Sequence, residues 1–220
     1  MNYRFTNRTG GSSTGAFASF NLGFHVGDNS ADVSSNRARL AQEFGPVAFM
    51  SQVHGDRVVV VEALSEVDPV ADALVTGIAG ITLAVQVADC IPLLLHSPQS
   101  VAAVHVGRKG LINGVTVRVL EVMRAMGASD IQAIIGPAIC GTCYEVSAEI
   151  FTEVTLAHPV AASQSAQGKP ALDLPAALTE LLSTEGIPVV REDKCTVEDN
   201  ELFSYRRDGV TGRQAGLVWL

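Results

Sequence analysis

No run of lysines and arginines longer than a pair occurs in this chain, and acidic residues outnumber basic ones 23 to 15, for a formal net charge of −8. Nucleic acids and anionic lipids are held by basic patches that neutralise phosphates, so neither is expected as a partner. An uninterrupted apolar run of membrane-spanning length is missing as well. The longest candidate, "GIAGITLAVQVADCIPLLL", carries Gln86, Asp89 and Pro92 in its interior. Their desolvation and helix-breaking costs favour two buried strands over a spanning helix. The opening "MNYRFTNRTGGSSTG" has no apolar segment of the kind a secretory signal requires, so the expected location is cytoplasmic. Cysteine is sparse: Cys90, Cys140, Cys143 and Cys195 in 220 residues. In a mid-sized chain without an export signal these are expected as reduced thiols. Neither a Walker loop nor a strand-linked GxGxxG occurs, and no repeat of fixed period is visible, which argues against both standard nucleotide cradles and against a solenoid.

What is present suffices for a substantial core, since 47% of the residues are hydrophobic. "PVAFMSQV" and "RVVVVEAL" read as strands around a His54-Gly55-Asp56 turn, and "ITLAVQVA", "IPLLLH" and "VAAVHV" continue the strand-rich centre. "SADVSSNRARLAQEFG", "LINGVTVRVLEVMRAMG" and "DLPAALTELLSTEG" read as helices stopped by glycine, the second with Leu111, Val115, Val119, Met123 and Met126 on one core-facing stripe. "AHPVAASQSAQGKPA" reads as a surface loop. Strands arriving both in runs and singly between helices predict an α+β fold, a single domain over residues 1–220 with a mixed sheet and flanking helices.

Within that frame "ADCIPLLLHSPQSVAAVHVGRKG" stands out, because an apolar segment is interrupted by an acid, a thiol and imidazoles. A hairpin turned by "SPQS" pairs His96 with Val101 and Pro92 with His105, and the period of two puts Cys90 and His105 on one face as diagonal neighbours. A metal ion bridges such a spacing. His54, where a strand meets a tight turn, is the best third donor for a site that keeps one position open. The alternative is that Cys90 is a small buried hydrophobe and the histidines satisfy backbone groups. Cys140 and Cys143 form a C-x-x-C pair, but with no second pair in the sequence they are expected to bear no metal. The tail "FSYRRDGVTGRQAGLVWL" gathers arginines in an acidic chain, either an anion clamp or a solvated strand edge.

Taken jointly, "RTGGSSTGAFASFNLGFHVGD", "SQVHGDRV", "ADALVTG", "VADCIPLLL", "VAAVHVGRKGL", "IGPAICGTCYEV" and "FSYRRDGVTGRQAGLVWL" resemble, in this order and over nearly the whole chain, the YfiH family. Its members have been described as multicopper, laccase-like polyphenol oxidases, as peptidoglycan editing factors and as purine nucleoside phosphorylases. The resemblance implies a mixed α+β fold and one active site in which His54, Cys90 and His105 hold zinc. It also implies phosphorolysis of adenosine, inosine and methylthioadenosine, with adenosine deamination as a companion activity. Purine nucleoside and phosphate are then the partners. Asp89 is the carboxylate placed to shuttle protons, and Lys109, Arg206 and Arg207 are the cations available for phosphate. One departure is visible: where the family usually reads "HAGWRG", this chain has "HVGRKG", with Arg108 at the tryptophan position and Lys109 at the arginine position. Three rival classes remain: a copper oxidase, a Cys-His hydrolase with Cys90 as nucleophile, and a metal-stabilised binding module.

Overall fold

The computed structural model describes residues 2–220. In chain order its elements are β1 (Asn2–Phe5), α1 (Ser30–Phe44), β2 (Val47–Ala48), β3 (Val58–Val60), β4 (Ala73–Thr76), β5 (Thr82–Val87), β6 (Ile91–His96), β7 (Val101–Val106), α2 (Arg108–Asn113), α3 (Val115–Ala125), β8 (Gln132–Ile135), α4 (Ala148–Ala157), β9 (Ala162–Gln164), β10 (Pro170–Leu172), α5 (Leu174–Thr184), β11 (Val189–Arg191), α6 (Tyr205–Asp208) and β12 (Gln214–Trp219). Two mixed sheets carry the fold, a four-stranded one in the order β1-β12-β5-β2 and a six-stranded one in the order β11-β8-β6-β7-β4-β3.

The β6–β7 hairpin shows how sequence sets this arrangement. Ser97 closes its turn: its Oγ donates to the Ser100 carbonyl (3.0 Å) and accepts the Ser100 N–H (3.0 Å). That fixes the register at His96 opposite Val101 and Pro92 opposite His105. Side chains then alternate. Ile91, Leu93, Leu95, Ala102, Val104 and Val106 face a core shared with α3 and α5, whereas Leu94, Val101 and Ala103 face a second core shared with Leu83, Val85 and Val218 of the other sheet. Each leucine so buried contributes about 1.5–3 kcal/mol. A third cluster, including Leu40 of α1 with Ala84 and Leu217, covers the outer side of the four-stranded sheet. The result is an α/β/β/α stack, and the layer between the sheets is where the functional residues emerge.

The structure differs from the sequence expectations at four places. The strands expected over "PVAFMSQV" and "RVVVVEAL" shrink to Val47–Ala48 and Val58–Val60. The helix expected over residues 111–127 is two helices, because Gly114 adopts a left-handed conformation (φ 77°) between α2 and α3. The stripe of Leu111, Val115, Val119 and Met123 is buried nonetheless, with Met126 packed at its edge. "AHPVAASQSAQGKPA" is not a bare loop but contains the antiparallel β9–β10 ribbon. The tail is no solvated edge either: β12 lies between β1 and β5. No helix among the described residues is long and apolar enough to cross a membrane.

Candidate metal centre

Period two places His105 on the same side of β7 as Val101 and Ala103, facing the inter-sheet layer, and Cys90, just before β6, packs against that layer. His54 reaches the same point from the turn between β2 and β3. One ligand-type atom from each of the three lies within 4.8 Å of the other two. Cys90 Sγ stands 3.9 Å from His54 Nε2, and the two imidazoles meet edge to face with centroids 4.6 Å apart.

A fourth residue assembles this trio. Asp72, fully buried at the head of β4, accepts from the main-chain N–H groups of His54 (2.9 Å), Gly55 (2.7 Å) and Val53 (3.2 Å). Those bonds hold His54 at φ 60°, a left-handed conformation that costs a non-glycine residue energy and needs such support. Asp72 Oδ1 also bonds His105 Nδ1 at 2.8 Å, and the Asp72 carbonyl accepts the His105 N–H at 2.8 Å. With Nδ1 committed to a carboxylate, the Nε2 lone pair is the one left for a ligand, the carboxylate–imidazole pairing typical of metal sites. Gly107 closes the far side: a Cβ there would lie 3.0 Å from Cys90 Sγ and 3.2 Å from His54 Cδ2.

The electrostatics favour a thiolate. Burial pushes the Cys90 thiol up, but the charge of His105 and hydrogen bonds from His105 and His54 outweigh it and bring the thiol to about 6. Burial likewise opposes charge on His105, yet Cys90 and the Asp72 hydrogen bond raise it to about 9. Cys90 is thus a ready anionic donor near neutral pH.

These groups line a pocket of about 400 Å³ together with Tyr144, Tyr205, Arg206 and Arg213. Of the residues expected to bind substrate, Asp89 and Arg206 line it. Asp89, at φ 92°, uses Oδ1 to accept from Thr196 Oγ1 (2.6 Å) and Oδ2 to accept from the Arg206 N–H (2.7 Å), so it positions Arg206 rather than standing ready to move protons. Lys109 is exposed on α2 and lies outside the pocket lining. Arg207 lies outside the pocket lining, and its guanidinium is taken up by the carbonyls of Thr196, Val197, Asp199 and Leu202 and by Asp208. Sequence reasoning missed Asp72, His25 and Tyr144, whereas Arg213, one of the tail arginines read as a possible anion clamp, does line the pocket. His25 enters the pocket from the single helical turn Phe24–Val26, and burial followed by the charge of Arg213 lowers its pKa. The one available signal was Asp72 itself, an acid within the apolar "VADALV".

The Cys140/Cys143 pair also departs from expectation. Cys195 and Glu198 join it, with one ligand-type atom of each of the four residues within 4.8 Å of the others. The missing second pair is supplied by a remote segment.

Comparison with known proteins gives consistent results. The family model described as multi-copper polyphenol oxidoreductase laccase matches residues 2–220. A Mycobacterium tuberculosis protein named purine nucleoside phosphorylase is 46% identical, covering 98% of this chain and 90% of its own. A Corynebacterium glutamicum protein of the same name is 42% identical over 98% of this chain and 93% of its own. Among solved structures, a Neisseria meningitidis protein superposes with a TM-score of 0.90 at 39% identity, covering 99% and 93% of the two chains. YlmD from Geobacillus stearothermophilus gives 0.88 at 32% identity, covering 98% and 90%. The fold, the order of its motifs and these similarities agree, and the chain belongs to the YfiH family, whose model carries the multi-copper polyphenol oxidoreductase laccase description.

Proposed function

We propose that this chain is a zinc-dependent purine nucleoside phosphorylase that converts adenosine, inosine and methylthioadenosine to free base and pentose 1-phosphate, with adenosine deamination as a companion activity. The observation that carries the reading is the meeting of His54, Cys90 and His105 in a pocket that also holds aromatic rings and arginines. The donor set fits zinc. Bond lengths for tetrahedral zinc place nitrogen and sulfur ligands about 3.6 Å apart, close to the 3.9 Å between His54 Nε2 and Cys90 Sγ. Two imidazoles and one thiolate occupy three positions and leave a fourth open. His54, Cys90 and His105 would hold the zinc, which would supply Lewis-acid polarisation beside the substrate.

The remaining work falls to the chain. In phosphorolysis a phosphate oxygen forms a bond to C1′ while the C1′–N9 bond breaks and its electron pair leaves with the purine. Phosphate therefore needs cations. Arg206, anchored by Nη1 on the Glu145 carbonyl (2.9 Å) and lying over the Tyr144 ring, has further guanidinium donors for it. Arg213, fixed by the carbonyls of Thr211 and Gly212, adds a second cation. Tyr144 and Tyr205 add aromatic surface to the lining that would receive the base. The relatives named purine nucleoside phosphorylase support this choice of substrate class.

One observation favours a second reading. The thiolate–imidazolium polarity of Cys90 and His105 is also that of a cysteine nucleophile with its base. A third donor, His54, is superfluous for such a nucleophile, and this weighs toward zinc. A multi-copper centre fits less well, since electron transfer to oxygen by several coppers draws on many imidazoles and this chain has five histidines in all. Chelation followed by readdition of a single metal separates the readings. A zinc phosphorylase loses nucleoside cleavage on chelation and regains it with zinc; a thiol hydrolase keeps its activity without metal; a copper oxidase regains activity only with copper.

A further inference from the structure

We propose that Cys140, Cys143, Cys195 and Glu198 form a second metal site, a structural zinc clamp distinct from the pocket. Two short turns build it. Cys140-Gly141-Thr142-Cys143 is closed by the Cys143 N–H donating to the Cys140 carbonyl (3.1 Å), and Cys195-Thr196-Val197-Glu198 by the Glu198 N–H donating to the Cys195 carbonyl (3.2 Å). Each turn thus carries a donor at its first and fourth residues. The parallel bridge between Ala138 and Cys195 sets the turns side by side, and the Cys140 N–H points at Cys195 Sγ (3.4 Å). Across the cluster Cys143 Sγ is 3.6 Å from Glu198 Oε1.

This is a metal-binding geometry. Zinc–sulfur and zinc–oxygen bond lengths at tetrahedral angles place sulfur pairs about 3.8 Å apart and sulfur–oxygen pairs about 3.6 Å apart, and all four donor atoms here fall within 4.8 Å of one another. Three thiolates select a soft, thiophilic ion such as zinc over magnesium or calcium. Glu198 completes the tetrahedron, which leaves no position for substrate and makes the site structural. The three cysteines are free thiols, none joined in a disulfide.

Its place in the fold gives the clamp a purpose. Ile139, beside Cys140, donates its N–H to the Asp89 carbonyl (2.9 Å), and Thr196, beside Cys195, donates its hydroxyl to Asp89 Oδ1. Tyr144 follows Cys143 directly and lies under Arg206. An ion tying the two turns would therefore hold Ile139, Tyr144 and Asp89 in the lining of the pocket that His54, Cys90 and His105 share. The proposal does not depend on the phosphorylase reading, because it concerns different donors and is read without an activity assay.

The test is metal content and cobalt spectroscopy on protein purified with reductant and zinc. Elemental analysis should give about two zinc ions per chain in the native protein, about one in Cys90→Ala, about one in Cys195→Ala and none in the double variant. Cys90→Ala is the sharper tool, since its only remaining cysteines are those of the clamp. Loaded with cobalt(II), it should show the intense near-ultraviolet thiolate charge-transfer band of a multi-thiolate tetrahedral site. Zinc content unchanged in Cys195→Ala, a folded Cys90→Ala protein without that band, or a Cys140–Cys143 disulfide in the reduced preparation would each overturn the proposal.

Discussion

The two donor clusters of this molecule are made of different materials, and the contrast bears on what each can do. At the pocket, an ion would be held by two imidazoles, which ligate as neutral groups, and by Cys90 as the single anionic donor, and the ensemble is held by a carboxylate, Asp72, that contributes none of the three donors. A divalent ion there keeps a net charge of about +1 and an open position, so it can act on a substrate. At the other cluster, Cys140, Cys143, Cys195 and Glu198 would all be anionic as ligands of an ion, and they hang on two turns rather than on a buried acid. The same ion would carry about −2 there, as in a four-cysteine site, with nothing left to bind. One cluster is arranged around its supporting shell and the other around its own loops. Removing donors from each should therefore damage different properties.

The largest divergence is expected between Cys90→Ala and Cys195→Ala. The first should lower kcat/KM by more than about a hundredfold, since even supporting residues of metal sites cost 10–100-fold, while lowering the melting temperature by less than the second does. The second should keep most of the activity at 25 °C yet melt at least about 5 °C lower, as a loss of about 2 kcal/mol does in a chain of this size. Calorimetry and nucleoside cleavage on the same preparations check both. If Cys195→Ala abolished cleavage while melting normally, the division of labour would be wrong.

Asp72→Asn probes the shell alone. Its amide nitrogen faces N–H donors, so zinc affinity should drop by about 10–100-fold and stability by about 1–3 kcal/mol, measured by chelator competition and by denaturant titration. Gly107→Ala should weaken zinc by about tenfold, because the added methyl meets Cys90 and His54 and overpacking of this kind costs about 1–3 kcal/mol. The smallest effects separate two neighbouring arginines. Arg206→Ala should raise the apparent phosphate KM by about tenfold, the worth of a charged hydrogen bond, at nearly constant kcat. Arg207→Ala should leave that KM alone and soften the acid limb of stability instead. Its hydrogen bond holds the Asp208 carboxyl below the usual range, so their interaction stabilises fully above the unfolded aspartate pKa and is lost as pH falls through the lower folded one. Denaturant midpoints compared near neutrality and in acid would expose the difference.

Much of the pocket was legible in sequence because its logic is local. A four-residue turn and the period of two suffice to place Cys90 and His105 on one side of a hairpin, and β6 and β7 have the bounds that "IPLLLH" and "VAAVHV" suggest. What escaped was carried by contacts between remote segments. Asp72 immediately precedes β4, and its partners come from two other places in the chain. Cys195 reaches Cys140 only through a parallel bridge, a pairing that leaves no local pattern. Arg207 and Arg206 are indistinguishable as letters, yet one turns to main-chain carbonyls and the other to the pocket. Gly114 was readable as a helix stop, but the apolar stripe on both sides of it has unbroken helical spacing.

Whether the His54/Cys90/His105 pocket performs phosphorolysis is decided by product stoichiometry. Zinc-loaded native protein and Cys90→Ala would be incubated with adenosine over a series of phosphate concentrations, and adenine and ribose 1-phosphate quantified together. The account predicts equal amounts of the two products, rising with phosphate to saturation in the native protein and absent in Cys90→Ala. Base release that persists at the same rate without phosphate, yields free ribose, or survives the loss of Cys90 would contradict it.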